Sequence, residues 1–318
     1  MMQERKTASA ERFRLEQIAD GVYAAIVIAG RGAQGNAGLI DLGDGRILVF
    51  DTFLTPAAAQ EFRAAAERLL GGAPTLVVNS HWHGDHINGN QVFAGDAHII
   101  ATERTREIMA TRGMAALERA RQSGPDDLVK REAELAAETD PAKRQTMELD
   151  LGEIRELVAA LPTMRVCLPD ITFNQRMTLH GARRTVEIIT LGGGHTDSDA
   201  FLYLPGERIA FIGDLVFAQS HPWMGHGHPD AWLDILTQIE GMPIDIAVPG
   251  HGPVGTLADC ARNRHYITTA QEIIGEAIKR GATLEEVKQL AMPAPFDTWA
   301  DADVFAWNAE FLYKQQTA

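Results

Sequence analysis

The chain has 318 residues, with 29 Lys and Arg against 43 Asp and Glu, giving a formal net charge of −14. This acidic balance argues against a nucleic-acid backbone or an anionic membrane surface as the main partner, because both repel it. A hydrophobic fraction of 45% and a charged fraction of 23% fit a globular chain that buries a large core.

The two cysteines, Cys167 and Cys260, set no disulfide framework. The opening MMQERKTASAERFRLEQ holds no apolar leader core. A reducing, cytoplasmic setting is expected, although a periplasmic chain trimmed of its leader would read the same. No run approaches the ~18 apolar residues of a membrane span.

In chain order, residues 1–17 are polar and read as a flexible N-terminus. Runs rich in Val and Ile at 22–29, 38–42 and 47–50, parted by Gly and Asp turns, read as strands of a meander. Pro56 opens a helix that apolar spacing carries to Leu70, where Gly71-Gly72 stop it. Residues 75–79 and 97–101 read as buried strands flanking a His-rich loop. From 103 to 161 strand signals vanish and charges alternate with Leu, Met and Ala at helical spacing. Gly124-Pro125 and Asp140-Pro141 punctuate this stretch, which predicts about three helices. Strands return at 171–173, 177–179, 185–190, 200–204 and 208–212, then a helix at 230–241 and a strand at 244–248. The tail from 256 to 318 is helical. It ends in an aromatic stripe (Trp299, Phe305, Trp307, Phe311, Tyr313) expected to pack into the core.

The decisive segment is Ser80-His81-Trp82-His83-Gly84-Asp85-His86, three histidines and a carboxylate just after a strand. His81 and His83 are two apart, so in extended backbone both imidazoles point to one side. Asp85 and His86 follow a Gly that lets the chain turn, so one short loop can serve two adjacent metal positions. Imidazole and carboxylate without thiolate suit Zn²⁺, with Fe or Mn as further fits. Packing alone gives no reason to gather these polar groups, since their burial without partners is costly. Three later strand ends add ligand types: Gly194-His195, Gly213-Asp214 and Gly250-His251-Gly252.

With these elements in this order, residues 18–255 resemble the metallo-β-lactamase superfamily. The resemblance implies an α/β (α+β) fold, an αβ/βα sandwich of two packed mixed sheets, here with a helical insertion at 103–161 and a C-terminal helical extension. It implies that His81, His83 and His195 hold a first zinc, that Asp85, His86 and His251 hold a second, and that Asp214 bridges them. Two such ions lower the pKa of a shared water toward ~7, making hydroxide available at neutral pH. Asp85 is the expected catalytic residue, ligating and orienting the nucleophile.

The departures narrow the branch. His83 stands where diiron relatives that reduce oxygen or nitric oxide carry Glu. Asp214 is the bridging carboxylate of glyoxalase II, lactonase and phosphodiesterase-like members, where dedicated β-lactamases usually place Cys or Ser. Phe217 stands where quorum-quenching lactonases carry Tyr. Arg262, Asn263, Arg264 and Tyr266 do not match the glutathione-binding pattern of glyoxalase II. The expected activity is a dinuclear zinc hydrolase acting on a small ester, thioester, lactone or β-lactam-like amide. The alternatives are a mononuclear iron oxidoreductase of the persulfide dioxygenase type and a dedicated metallo-β-lactamase. The partner is thus a small-molecule substrate. His221 and Trp223 are candidates for the substrate rim, while His226 and His228 read as surface loop. The insertion reads either as an outer layer or homodimer surface, or as a lid lined by Met109, Met114 and Leu117.

Overall fold

The computed structural model describes residues 7–317. Among them are two mixed sheets. The first has eight strands in chain order: β1 (Thr7–Ser9), β2 (Phe13–Ala19), β3 (Val22–Val27), β4 (Ala37–Gly43), β5 (Arg46–Phe50), β6 (Leu76–Val78), β7 (His98–Thr102) and β8 (Ile171–Phe173). It is antiparallel through β5 and parallel from β5 to β8. The second runs β13 (Ile246–His251), β12 (Ile209–Phe217), β11 (Asp199–Leu204), β10 (Thr185–Gly192), β9 (Arg176–His180). Its one parallel pair is β12 with β13.

The sheets stack face to face, and the apolar runs explain why. Ile40, Leu48, Val78 and Ile100 of the first sheet meet Val186, Ile188, Leu202, Phe211 and Val248 of the second. The alternate residues Leu39, Val49, Val77 and Ile99 face outward onto helix α1 (Pro56–Leu70), packing with Ala58, Phe62 and Ala65. Strands buried on both faces need no polar alternation, hence the continuous Val and Ile runs. Thr55 caps α1 by accepting from the Ala58 amide, and Gly71 ends it in the left-handed region at φ 77°. The second sheet is covered by α6 (Pro229–Glu240), α7 (Leu257–Lys279) and, past the short α8 (Leu284–Val287), α9 (Val304–Thr317), through Trp232, Leu236, Tyr266, Ile274, Phe305 and Leu312. The result is the expected αβ/βα sandwich.

Three expectations change. The flexible N-terminus is overturned where the structure describes it: 7–9 and 13–19 are strands, because Phe13 and Leu15 alternate with Arg14 and Glu16 and bury against Phe53 and Phe62. Residues 1–6 of that segment lie outside the described residues. The insertion has three helices with a different break. These are α3 (Glu103–Ile108), α4 (Met114–Ala137) and α5 (Pro141–Ala160), with Pro125 inside α4 and a π-turn at Met109–Gly113 separating α3 from α4. In the aromatic tail, Phe305 is buried but Trp307 is 57% exposed, on the outer face of α9. Among the described residues no helix is long and apolar enough to cross a membrane.

Candidate metal centre

The site is built from strand ends and the turns beyond them. Past β6, residues 80–83 run into the short helix α2 (Gly84–Ile87), whose N-cap is His83 and whose first turn carries Asp85 and His86. His195 sits in the turn between β10 and β11, and His251 is the last residue of β13. Asp214 lies inside β12, which runs on to Phe217 rather than ending near 212 as expected. Gly250 makes room for it: a Cβ there would stand 1.8 Å from Asp214 Oδ1.

All seven side chains proposed from the sequence converge. Donor atoms of His81, His83, His195 and Asp214 lie within 4.8 Å of one another, as do those of Asp85, His86, Asp214 and His251. Asp214 belongs to both groups. Its Oδ2 is 3.7 Å from His81 Nε2, 3.3 Å from His195 Nε2 and 3.4 Å from His251 Nε2, while its Oδ1 is 3.1 Å from His86 Nε2. Asp85 Oδ2 lies 3.2 Å from His86 Nε2 and 3.3 Å from His251 Nε2.

These residues fit metal ions. The buried Nε2 atoms of His81 and His86 and Oδ1 of Asp214 have no hydrogen-bond partner among the described residues. Buried lone pairs of this kind are normally satisfied. Histidine nitrogens and carboxylate oxygens at such separations suit a divalent ion of the zinc type. The electrostatics agree. Burial, reinforced by His86 and the neighbouring histidines, holds His81 well below the ordinary histidine value. Burial takes His195 down to about 4, so it offers a lone pair. For His86 and His251 burial acts the same way but the carboxylates outweigh it. Asp214 and Asp85 hold His86 well above its usual value and bring His251 to about 10. The second group thus demands positive charge, which a bound cation would supply.

A further layer fixes the ligands. Asp51, fully buried at the end of β5, accepts from the Ser80 amide at 2.8 Å and the Ser80 hydroxyl at 2.7 Å, and its Oδ2 is 2.9 Å from His86 Nδ1. Ser80 Oγ is in turn 2.8 Å from His81 Nδ1. Asp51 sits in the left-handed region at φ 59°, a conformation uncommon outside glycine and typical of positions that surrounding structure must enforce. Asn36 donates to the carbonyls of Pro249 and Gly252, holding the His251 turn. Asp199 accepts from the amides of Gly194 and Thr196 on either side of His195; burial pushes its carboxyl up to about 6.

The rim expectations divide. His221 is not at the rim. It is buried, with Nδ1 2.7 Å from the Tyr266 hydroxyl and Nε2 3.1 Å from the Phe296 carbonyl. Trp223 is half-buried, its ring 5.3 Å from that of His83 and 6.4 Å from that of His195. His226, read as surface loop, instead reaches His83, with Nδ1 3.0 Å from its Nε2. His228 is exposed beside Asp197. Met109 is no lid lining, since it is buried with Trp82, Ile87 and Ile108; Met114 is 47% exposed. Phe217 stacks on His251 at 4.9 Å and 5°. Asn263 and Tyr266 serve the scaffold, the first binding the Phe217 backbone and the second His221.

The insertion reaches the site through α5. Glu153 accepts from the amides of Gly30, Arg31 and Gly32 at 2.7, 3.2 and 2.7 Å. It thereby pins the β3–β4 loop that ends at Asn36. Arg12 adds ion pairs to Glu156 and Glu61.

The family model described as the metallo-beta-lactamase superfamily matches residues 30–251. Among curated proteins, the chain is 25% identical over 248 residues to the 2,4-dinitroanisole O-demethylase subunit alpha of Nocardioides sp. (strain JS1661), covering 77% of this chain and 57% of that protein. It is 24% identical over 191 residues to a hydroxyacylglutathione hydrolase of Erythrobacter litoralis (strain HTCC2594), covering 59% and 52%. The chain therefore spans little more than half the length of these relatives. Two solved structures share the fold. A metallo-beta-lactamase from Pontibacter korlensis has a TM-score of 0.55 at 15% identity, over 83% of this chain and 99% of that one. The DIM-1 metallo-beta-lactamase has a TM-score of 0.57 at 17% identity, over 83% and 100%.

Proposed function

Because the chain belongs to the metallo-β-lactamase superfamily, we propose that it is a hydrolase working with two zinc ions, and that its substrate is a small ester, thioester or lactone. One observation carries this reading: seven side chains form two donor groups that share Asp214, with buried lone pairs left unpartnered between them. His81, His83 and His195 would hold the first ion and Asp85, His86 and His251 the second, with Asp214 between. Bound there, divalent ions would supply Lewis acidity and ionise a water at neutral pH. A mononuclear iron oxidoreductase needs only the first group and leaves Asp85, His86 and His251 without a role.

The chain's own residues would do the following. Asp85 keeps more solvent access than Asp214, with a side chain 15% exposed against 4%. With that access it would orient the attacking water and take its proton. Trp223 borders the first group and would flank the substrate. Asp214 adds negative charge between the positions and partly covers the second. A lactam nitrogen anion needs that position open as it leaves, whereas alkoxide and thiolate leave more readily. One curated relative is named a hydrolase of hydroxyacylglutathione and the other an O-demethylase, and neither is named for a lactam, which supports this choice.

The test is a side-by-side comparison of kcat/KM on activated esters, thioesters, lactones, nitrocefin and penicillins, with metal content measured on the same sample. Chelation should abolish the activity and lower Tm, because bound metal stabilises the folded state. Turnover of a β-lactam near ~10⁶ M⁻¹s⁻¹, within the range of competent enzymes, with esters and lactones inert, would refute the substrate assignment. Full activity without metal would refute the mechanism.

A further inference from the structure

Three of the ligand histidines show how the site sets its tautomers. A histidine that gives one ring nitrogen to a cation carries its proton on the other, and that N–H needs an acceptor. His86 has Asp51 and His81 has Ser80, both braced from the core. His83 differs. Its Nδ1 is 3.0 Å from His195 Nε2, on the side where the first group converges. Its Nε2 points away and lies 3.0 Å from His226 Nδ1, on a loop 143 positions along the chain. The His226 ring is held between Trp82, with centroids 4.8 Å apart, and Trp223, at 4.7 Å. Gly225 lets the loop close on that cluster, since a Cβ there would come within 2.5 Å of the Trp223 ring.

We propose that His226 is the positioning residue of the first metal position. Its Nδ1 accepts the Nε2–H of His83, fixing the tautomer and ring plane that present His83 Nδ1 to the ion. The proposal rests on the two-metal reading above. It makes the first position depend on the loop that carries Trp223, so disturbance of that rim reaches the metal.

Two substitutions separate this role from packing. His226→Phe keeps an aromatic ring between the tryptophans and removes the acceptor. His226→Asn loses the ring but keeps an oxygen where Nδ1 stands. Zinc is titrated into the metal-free full chain against a chromophoric chelator, and cobalt(II) reports the coordination environment by absorbance. His226→Phe is expected to weaken one of two zinc equivalents by about 10–100-fold, the range for loss of an outer partner of a metal-bound histidine, and to alter the cobalt spectrum. His226→Asn should bind more tightly than His226→Phe. A packing role predicts the opposite order, and that order overturns the proposal. Two wild-type zinc affinities in His226→Phe also overturn it. A wild-type chain that takes up no zinc refutes the two-metal reading itself, and the proposal with it.

Discussion

Replacing Asp51 by Asn tests the support of both metal positions at once. The carboxylate receives the Ser80 amide on Oδ1, and the Ser80 hydroxyl and His86 Nδ1 on Oδ2. Because Ser80 donates its one proton to Asp51, it accepts from His81 Nδ1–H. One carboxylate thus sets the tautomer of a histidine in each group, leaving both Nε2 lone pairs facing the candidate metal positions. Asn offers one oxygen and one NH₂. With the NH₂ toward Ser80 N–H, two donors face each other in a fully buried place, which costs ~1–3 kcal/mol. With the NH₂ in the Oδ2 position, Ser80 and His86 must become acceptors. Ser80 then donates to His81, and the protons of His81 and His86 move to Nε2, where the metals would bind. The first orientation keeps both tautomers and lowers Tm; the second takes the lone pairs from the metal positions, and metal affinity should then fall about 10–100-fold, which is roughly 1.4–2.8 kcal/mol at each position. Chelator competition with zinc, and Tm measured with and without metal, give the answer. Asp51→Asn that keeps both zinc equivalents at wild-type affinity, with an unchanged Tm, would refute the reasoning.

Asp85→Asn keeps the size and one oxygen of the side chain but loses the basic carboxylate; kcat should drop at least ~100-fold, and an unchanged kcat at normal metal content removes Asp85 from proton transfer. Glu153→Gln replaces a carboxylate that gathers three amides with a group that has one oxygen. Hydrogen exchange at residues 30–32 should then speed up by about tenfold for each ~1.4 kcal/mol lost, and unchanged protection there would show that α5 does not pin this loop. Burial raises the Cys260 thiol to about 12, so at pH 8 its thiolate fraction is on the order of 10⁻⁴. Half-buried Cys167 should therefore react first with a maleimide, and mass mapping that finds Cys260 modified first contradicts this.

The parts of the site that were legible in the sequence are those governed by local geometry. His81 and His83 come together as their two-residue spacing suggested, although the chain bends at 80–82, and Asp85 and His86 follow in the short helix that begins at Gly84. Asp214 and His251 were readable because small residues precede each, and the structure shows the reason at Gly250, whose missing Cβ leaves room for Asp214. The N-terminal strand was legible too, in the alternation of Phe13 and Leu15 with Arg14 and Glu16. Net polarity obscured it, since an apolar set of two residues is outweighed by the charges around it. Asp51 ends an apolar run as Asp214 does, but a lone Asp there reads equally as a turn residue. What distinguishes it is the partner pair Ser80 and His86, about 30 positions away.

The loop from 218 to 228 shows where sequence reading stops and why. His221 and His226 sit five residues apart in irregular backbone, so neither the two-residue nor the 3.6-residue period assigns them a side. Each is placed by distant partners. Tyr266 and Phe296, from α7 and the turn after the cis Ala294-Pro295 bond, draw His221 inward, while Trp82 and His83 receive His226. Choosing the histidine nearer Asp214 in sequence as the rim residue assumes that proximity along the chain becomes proximity in space. β12 runs on past Asp214 to Phe217, which stacks on His251 of the second group, and the chain after it sends His221 inward to Tyr266 and Phe296 instead of to the first group. The loop then returns the later residues, Trp223 and His226, to the first metal position. On this loop Trp223 and His226 are therefore placed beside the first group by Trp82 and His83, not by their distance from Asp214 along the chain.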